Sequence, residues 1–274
     1  MKRLVPLLAA LLAALLLGCA AAEGSAGTVN TDGSSSMADV MAILQEVFRQ
    51  QEPTVTVNYS GTGSGAGIEA VLSGTCDIGL SSRPLKPEEA AQGAVAWVVA
   101  LDAVAVVVHP DNAVVSLSAE DLARLFTGEI VNWRELGGAD APVALYGRGA
   151  GSGTRSAFED GLGITDRCRY TNVYGSTGDV VGNVASNPNA VGYVSLSAAG
   201  GGVRVLSVNG VPCTEETVLD GSYSLQRPFL FVTRADRPLT WAAQAFLDFA
   251  QSGDAAPYIA RAGAIAPKRA ENGA

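Results

Sequence analysis

The sequence is poor in the residue types on which most enzyme active sites depend. Among 274 residues there is one histidine, His109, and there are only three lysines. No lysine follows a glycine, so the chain has no phosphate-binding P-loop. No serine lies in a G-x-S-x-G motif or three residues before a lysine, which removes two common serine-hydrolase arrangements. The sequence therefore gives little support to an enzyme, and we interpret His109 as a structural residue.

Cysteine is equally scarce, with four residues and no C-x-x-C motif, so we expect no metal and no cofactor. Cys19 belongs to the N-terminal segment described below. Cys76 lies among apolar residues and is expected to be a small buried thiol. Outside the cytoplasm thiols tend to oxidise in pairs. We expect a disulfide between Cys168 and Cys213, which lie in the same half of the chain.

Charge is sparse and mostly negative. Charged residues make up 16% of the chain, apolar residues make up 48%, and the formal net charge is −9. This apolar fraction is too high for a disordered chain. The negative charge disfavours nucleic acid and anionic lipid as partners of the folded part. The length suits one large domain or two modest lobes.

The most apolar segment is at the N-terminus. Lys2 and Arg3 precede a run of almost only Leu and Ala at 4–17, and Leu-Leu-Gly-Cys occupies 16–19. This order predicts a lipoprotein signal peptide at 1–18, with Cys19 as the lipid acceptor and 19–26 as a linker. We therefore expect the mature chain to be extracytoplasmic and anchored to the cell membrane by lipid. The alternatives are cleavage elsewhere or a membrane span, for which the run is short.

Beyond the linker, strand-like and helix-like segments alternate. Strands are predicted at 28–32, 54–59, 77–82, 142–146, 191–194, 204–208 and 227–233, and two strongly apolar runs lie at 95–101 and 103–110. Helices are predicted at 37–48, 68–74, 87–91, 118–128, 152–161, 178–187, 240–252 and 255–262. This alternation is typical of an α/β fold with mostly parallel sheets.

Three turns rich in glycine and hydroxyl side chains each follow a strand and precede a helix. They are G-S-S-S at 33–36, S-G-T-G-S-G at 60–65 and G-A-G-S-G-T at 149–154. The first N–H groups of a helix lack partners and carry the positive end of the helix dipole, so such turns can bind an anion. For any one turn alone, helix capping is the better explanation. Three turns, with Arg148 before the third, favour convergence on one anion.

Several segments together resemble the phosphate-binding proteins of phosphate ABC importers. The segments are D-G-S-S-S-M, Y-S-G-T-G-S-G-A-G-I-E-A-V, C-D-I-G-L-S-S-R-P-L, G-R-G-A-G-S-G-T-R and N-P-N-A-V-G-Y-V-S-L. The resemblance implies a type II fold of two lobes, each a mostly parallel sheet flanked by helices, which closes on inorganic phosphate. It places hinge strands at 101–110 and 226–233. Lobe 1 is then 27–104 plus 231–274, and lobe 2 is 105–230.

The resemblance also implies site residues and partners. Partners would be an ABC permease with its ATPase subunits, and the receptor itself would be a monomer. The residues that would bind phosphate are Ser34, Ser35, Ser64, Ser82, Arg148, Ser152, Gly153 and Thr154. Further candidates are Asp32, Ser36, Thr62 and Arg83.

Ser82 departs from some members of that family, which have an aspartate at the same position. An aspartate accepts a hydrogen bond from protonated phosphate and disfavours fully ionised sulfate. Asp32 is a possible substitute acceptor or a strand-end residue, and Arg83 is a site residue or a surface charge. The alternatives are a receptor for sulfate or molybdate, and a surface sensor or adhesion protein with the same fold. An enzyme acting on phosphate esters is the weakest of them.

Overall fold

Strands and helices alternate along residues 26–267, the part of the chain that the computed structural model describes. The strands are β1 Gly27–Gly33, β2 Val55–Ser60, β3 Ile78–Ser81, β4 Ala94–Val108, β5 Ser116–Leu117, β6 Ala144–Arg148, β7 Asn172–Tyr174, β8 Ala190–Ser195, β9 Arg204–Val205, β10 Ser207–Val208 and β11 Gln226–Arg234. The helices are α1 Ala38–Gln51, α2 Ser64–Ser73, α3 Pro87–Ala91, α4 Ala119–Phe126, α5 Gly153–Gly161, α6 Thr177–Ala185, α7 Glu215–Leu219, α8 Trp241–Ala250 and α9 Ala256–Arg261. Short 3-10 turns add Ser35–Met37, Trp133–Leu136, Leu196–Ala198 and Gly253–Ala255.

One nine-stranded sheet runs through both lobes in the order β2-β1-β3-β11-β4-β8-β6-β7, with β9 also pairing with β4. The outer strands pair in parallel, as β1 does with β2 and β3, and β6 with β7 and β8. The joining strands β4 and β11 are antiparallel to each other and to their neighbours. Parallel neighbours need a crossover, which the intervening helices supply.

Strand β4 is continuous through the two apolar runs that the sequence analysis listed separately. Its first part pairs with β11 and its last part, from Val104, pairs with β8. Asp102 interrupts the apolar run and suggested a break. Its carboxylate is instead buried and accepts a hydrogen bond from Arg227 Nε at 2.9 Å, so the strand passes straight from one lobe into the other.

Each lobe has its own hydrophobic core. One core takes its buried residues from 29–100 and 229–264, and the other from 103–225 together with Ile265. In the first lobe, α1 and α8 cover one face of the sheet, with the rings of Phe48 and Phe246 5.2 Å apart. Helix α2 covers the opposite face, where Ile68 packs with Val232. The helices on both faces make the first lobe a three-layered unit.

The expected disulfide between Cys168 and Cys213 is not formed. Both thiols are free, as is that of Cys76, which is buried as predicted. Cys168 lies beside Tyr170 whereas Cys213 lies beside Tyr223, and burial raises the pKa of each thiol to about 12. The prediction was wrong because it used only proximity in the sequence, and the two cysteines occupy different surroundings within lobe 2.

None of the helices within 26–267 has the length and apolar character needed to cross a membrane. The predicted signal peptide and Cys19 lie outside the described residues.

Candidate anion-binding site

The three glycine-rich turns meet where the two lobes face each other. Gly65 N–H, in the second turn, donates to the carbonyl oxygen of Gly151 in the third at 3.0 Å. Ser36, in the first turn, lies with its hydroxyl 2.7 Å from that of Thr154. Helix starts from both lobes therefore surround one small region, as the sequence predicted.

Lobe 1 lines this region with neutral hydroxyls. Ser34 Oγ donates to Ser82 Oγ at 2.9 Å, and the hydroxyls of Ser64 and Ser82 are 3.3 Å apart. Ser64 Oγ also accepts the Ser82 N–H at 3.0 Å. All three side chains are buried. Ser34 and Ser64 are in position because a helical turn begins at each of their segments, directly after a strand.

Lobe 2 supplies a positive charge at the end of β6. Arg148 is buried; its Nη1 donates to Thr177 Oγ1 at 2.9 Å, and its Nη2 donates to Ser35 Oγ at 3.0 Å. The carbonyl oxygens of Tyr174 and Gly175 accept from Nε at 3.3 Å and from Nη2 at 2.8 Å. Burial lowers the pKa of the Arg148 guanidinium to about 10, still far above neutral pH. Because no carboxylate within 26–267 forms an ion pair with it, its charge remains available to an anion.

Helix α5 completes the lobe 2 side. Ser152 caps the helix by accepting the Arg155 N–H at 3.3 Å, and Thr154 lies in the first turn. Gly153 packs directly on lobe 1, where an added Cβ would overlap Ser64 Oγ and lie 2.7 Å from Ser82 Oγ. Only glycine allows the lobes to approach this closely, because any larger side chain would meet the serines of lobe 1.

Thr177 is a site residue that the sequence analysis did not assign. Its hydroxyl lies 3.0 Å from that of Ser36, it accepts from Arg148, and its N–H donates to Ser35 Oγ at 3.4 Å. The segment Y-G-S-T-G-D at 174–179 has the same strand–turn–helix pattern as the other turns. The sequence analysis did not recognise this segment as a fourth anion-binding turn because β7 is only three residues long and has little strand character in the sequence.

Three of the weaker candidates lie at the edge of the site or away from it. Thr62 Oγ1 donates to Asp32 Oδ1 at 2.5 Å, and the two residues lie two positions before Ser64 and Ser34 in the chain. Arg83 is neither a surface charge nor available to an anion. Its Nη2 donates to Glu89 Oε1 at 2.6 Å and its Nη1 donates to the carbonyl oxygen of Pro84. The side chain of Glu89, on α3, thus removes Arg83 from the site.

The donor set defines the ligand chemistry. One buried guanidinium, several hydroxyls and the N–H groups of helix starts suit a small oxyanion, and each hydrogen bond to the charged group would contribute about 1.5–3 kcal/mol. No group of three His, Cys, Asp or Glu side chains within 26–267 is arranged to hold a metal ion. The fold and the site together define a two-lobed binding protein that encloses a small anion between its lobes.

Comparisons with known proteins agree with this class. The profile of the PBP superfamily domain matches residues 20–254. The phosphate-binding protein PstS of Bacillus subtilis is 31% identical over 243 residues, which cover 85% of this chain and 78% of that protein. The chain therefore belongs to the PBP superfamily and, within it, to the PstS family of phosphate-binding proteins.

Solved structures show the same fold. A structure from Clostridium perfringens, described as a candidate phosphate ABC transporter substrate-binding protein with bound phosphate, has a TM-score of 0.86 and 35% identity. The alignment covers 88% of this chain and 100% of the Clostridium perfringens chain. An ABC-type phosphate transport receptor from Vibrio cholerae has a TM-score of 0.73 and 32% identity, with coverage of 87% and 100%. The predicted two-lobed α/β fold is confirmed.

Proposed function

We propose that this chain captures inorganic phosphate outside the cytoplasm and delivers it to an ABC permease. The observation that carries the proposal is Arg148, a buried guanidinium that contacts only hydroxyls and carbonyl oxygens. A buried charge without a counter-ion is costly, and a bound anion would supply one. The PstS relatives and the phosphate-bound neighbour support phosphate as that anion.

The anion would act by favouring the closed arrangement of the lobes. In the closed form Ser36 and Gly65 of lobe 1 contact Thr154 and Gly151 of lobe 2. An anion held by donors from both sides binds the closed form more tightly than the open one, and so shifts the equilibrium by that difference in affinity. The joining strands β4 and β11 would be the hinge.

Titration calorimetry on protein freed of phosphate by unfolding and refolding tests the proposal. We expect one phosphate to bind per chain at micromolar concentration or below, with sulfate binding at least tenfold more weakly. Absence of phosphate binding by refolded protein with native circular dichroism would contradict the proposal.

Sulfate is a second candidate ligand because of Ser82. This fully buried residue presents a hydroxyl, and hydroxyls can either donate to a fully ionised anion or accept from a protonated one. Asp32, engaged by Thr62, could supply a carboxylate acceptor only from the border of the site. The same titration decides, since sulfate affinity equal to that of phosphate would favour the second candidate.

Delivery requires an anchor and a partner. We propose that signal peptide cleavage exposes Cys19, that lipid on Cys19 holds the receptor at the outer face of the cell membrane, and that a permease with ATPase subunits receives the anion. Replacing Cys19 by alanine should release the protein from membranes into the soluble fraction. Crosslinking of the closed receptor to a membrane permease tests the partner, and a sensor or adhesion protein would show no such crosslink.

A further inference from the structure

A chain of hydrogen bonds connects the backbone of Arg148 to the carboxylate of Glu159. The backbone N–H of Arg148 donates to the hydroxyl oxygen of Tyr193 at 3.2 Å. The hydroxyls of Tyr193 and Tyr170 are 2.8 Å apart. The hydroxyl of Tyr170 donates to Glu159 Oε1 at 2.8 Å. Four groups from β6, β8, the segment before β7 and helix α5 are thus connected.

The direction of this chain follows from the number of hydrogens. Each tyrosine hydroxyl has one hydrogen to donate. Tyr170 gives its hydrogen to Glu159, so Tyr193 must donate to Tyr170 and accept from Arg148. Burial raises the pKa of both tyrosines, which therefore keep their hydrogens at neutral pH. Every donor then points toward the carboxylate, an arrangement in which each bond polarises and strengthens the next.

Glu159 is also connected to the backbone carbonyl group of Arg148, through the side chain of Arg155. Its Oε1 accepts from Arg155 Nε at 2.8 Å, and Arg155 Nη1 donates to the carbonyl oxygen of Arg148 at 3.4 Å. Its Oε2 accepts the backbone N–H of Asp166 at 2.8 Å. The carboxylate is buried, yet its charge is paired with Arg155 and it accepts several hydrogen bonds. Both the N–H and the carbonyl group of Arg148 are therefore connected to Glu159.

We infer that Glu159, Tyr170 and Tyr193 are positioning residues that fix the backbone of Arg148 and thereby set the affinity for the anion. The inference rests on the proposed function. The guanidinium of Arg148 keeps its four hydrogen bonds to Ser35, Thr177 and two carbonyl oxygens only while the end of β6 stays in place. Loss of the backbone contacts would let the arginine sample positions that contact the anion poorly, although none of the three residues is among the hydroxyls that line the site.

Phenylalanine substitutions separate positioning from packing. The ring of Tyr193 stacks on that of Phe158 with centroids 4.2 Å apart, and a phenylalanine retains such contacts while losing the hydroxyl. Tyr146 is a matched control in β6. It is also buried, its hydroxyl accepts only from Asn187 Nδ2 at 2.8 Å, and it has no link to Glu159.

The experiment compares Tyr170→Phe and Tyr146→Phe by phosphate calorimetry and by hydrogen exchange at the Arg148 amide. We expect Tyr170→Phe to weaken phosphate binding about three- to tenfold, because the lost bonds to Glu159 and Tyr193 act on the anion only through Arg148, and to speed exchange at Arg148. Tyr146→Phe should stay within about twofold of the wild type in both readouts.

Glu159→Gln provides a second route if Tyr170→Phe folds poorly. Glutamine has the same shape and retains an acceptor oxygen, so it should preserve more affinity than Glu159→Ala. Wild-type affinity together with wild-type Arg148 exchange in Tyr170→Phe, or equal affinity and exchange in Glu159→Ala and the wild type, would overturn the inference. Failure of the wild type to bind phosphate would instead contradict the proposed function, and the exchange measurement would still decide whether the network holds Arg148.

Discussion

The two lobes contribute different chemistry to the same site. Within 26–267, the groups of lobe 1 that line the site are neutral hydroxyls, among them those of Ser34, Ser64 and Ser82. Lobe 2 offers the charge of Arg148 and supports it with carbonyl oxygens and a hydrogen-bonded network. An anion can therefore be attracted by one lobe alone, while a complete set of donors exists only after the other lobe has closed.

The hydroxyls of lobe 1 and the guanidinium of lobe 2 have different needs when the lobes are open and no anion is bound. Hydroxyls that separate from an anion can rotate and bond to water at little cost, because they have no charge to neutralise. A buried guanidinium needs fixed partners even without a ligand, and the carbonyl oxygens of Tyr174 and Gly175 provide them. We therefore expect substitutions in lobe 2 to affect attraction to the anion, and those at the contact between lobes to affect closure.

The largest effect is expected from Arg148→Ala, which removes the charge from lobe 2. Phosphate affinity should fall by about 10- to 150-fold, because a hydrogen bond to a charged group contributes about 1.5–3 kcal/mol. Calorimetry measures this loss. Arg124→Ala is the control, since Arg124 is half exposed and paired with Asp121 and Glu129 far from the turns in sequence. Unchanged affinity in Arg148→Ala would show that the charge of lobe 2 lies outside the site.

A somewhat smaller effect is expected from Gly153→Ala, which tests closure. A Cβ at this position would overlap Ser64 Oγ of lobe 1, so the lobes could not approach fully. Phosphate affinity should fall about tenfold while the melting temperature of the phosphate-free protein changes little, because the open form has room for a methyl group. The readouts are calorimetry and thermal unfolding.

Gly182→Ala is the matched control for that substitution. Gly182 lies inside helix α6, and an added Cβ there meets no atom within 4 Å. Alanine should stabilise this helix slightly and leave binding unchanged. If Gly153→Ala binds phosphate as tightly as Gly182→Ala, the close approach of the lobes is not needed for binding.

The features predicted from the sequence are those that local chemistry determines. A glycine- and serine-rich turn between a strand and an apolar helix favours a helix start, and the turns that contain Ser34, Ser64 and Ser152 were found in this way. Helix α2 nonetheless begins at Ser64. The sequence analysis placed its start at 68 because the glycine-rich first turn has no apolar periodicity. The number of turns, together with Arg148, favoured their convergence, and recognition of the family added which individual residues would bind the anion.

The features that the sequence did not reveal depend on partners far along the chain. Glu89 lies near Arg83 in the sequence and has the opposite charge, but only the fold shows that the two side chains form an ion pair. The continuity of β4 depends on Asp102 and Arg227, which are separated by 125 residues. Neither contact has a local signature, so residue types alone could not distinguish a buried ion pair from a surface charge or a strand break.

A smaller effect is expected from Ser64→Ala on the neutral side of the site. The variant loses one hydroxyl and leaves the buried N–H of Ser82 without its partner. Phosphate affinity should fall about two- to tenfold, less than for Arg148→Ala, because the variant loses a neutral donor and keeps the positive charge of the site. Ser73→Ala, an exposed change at the other end of α2, should leave calorimetric affinity unchanged. A loss as large as that of Arg148→Ala would contradict the division of roles between the lobes.

The smallest effect is expected from reducing agents, which test whether lobe 2 owes its rigidity to a covalent link. A disulfide between Cys168 and Cys213 would close a loop of about 45 residues and stabilise the lobe by roughly 4 kcal/mol. Since both thiols are free, a reductant should change neither the melting temperature nor the phosphate affinity. Thiol titration of unfolded protein carrying Cys19→Ala should find three groups. A count of one would mean that a covalent link adds to the hydrogen bonds that hold lobe 2 and Arg148.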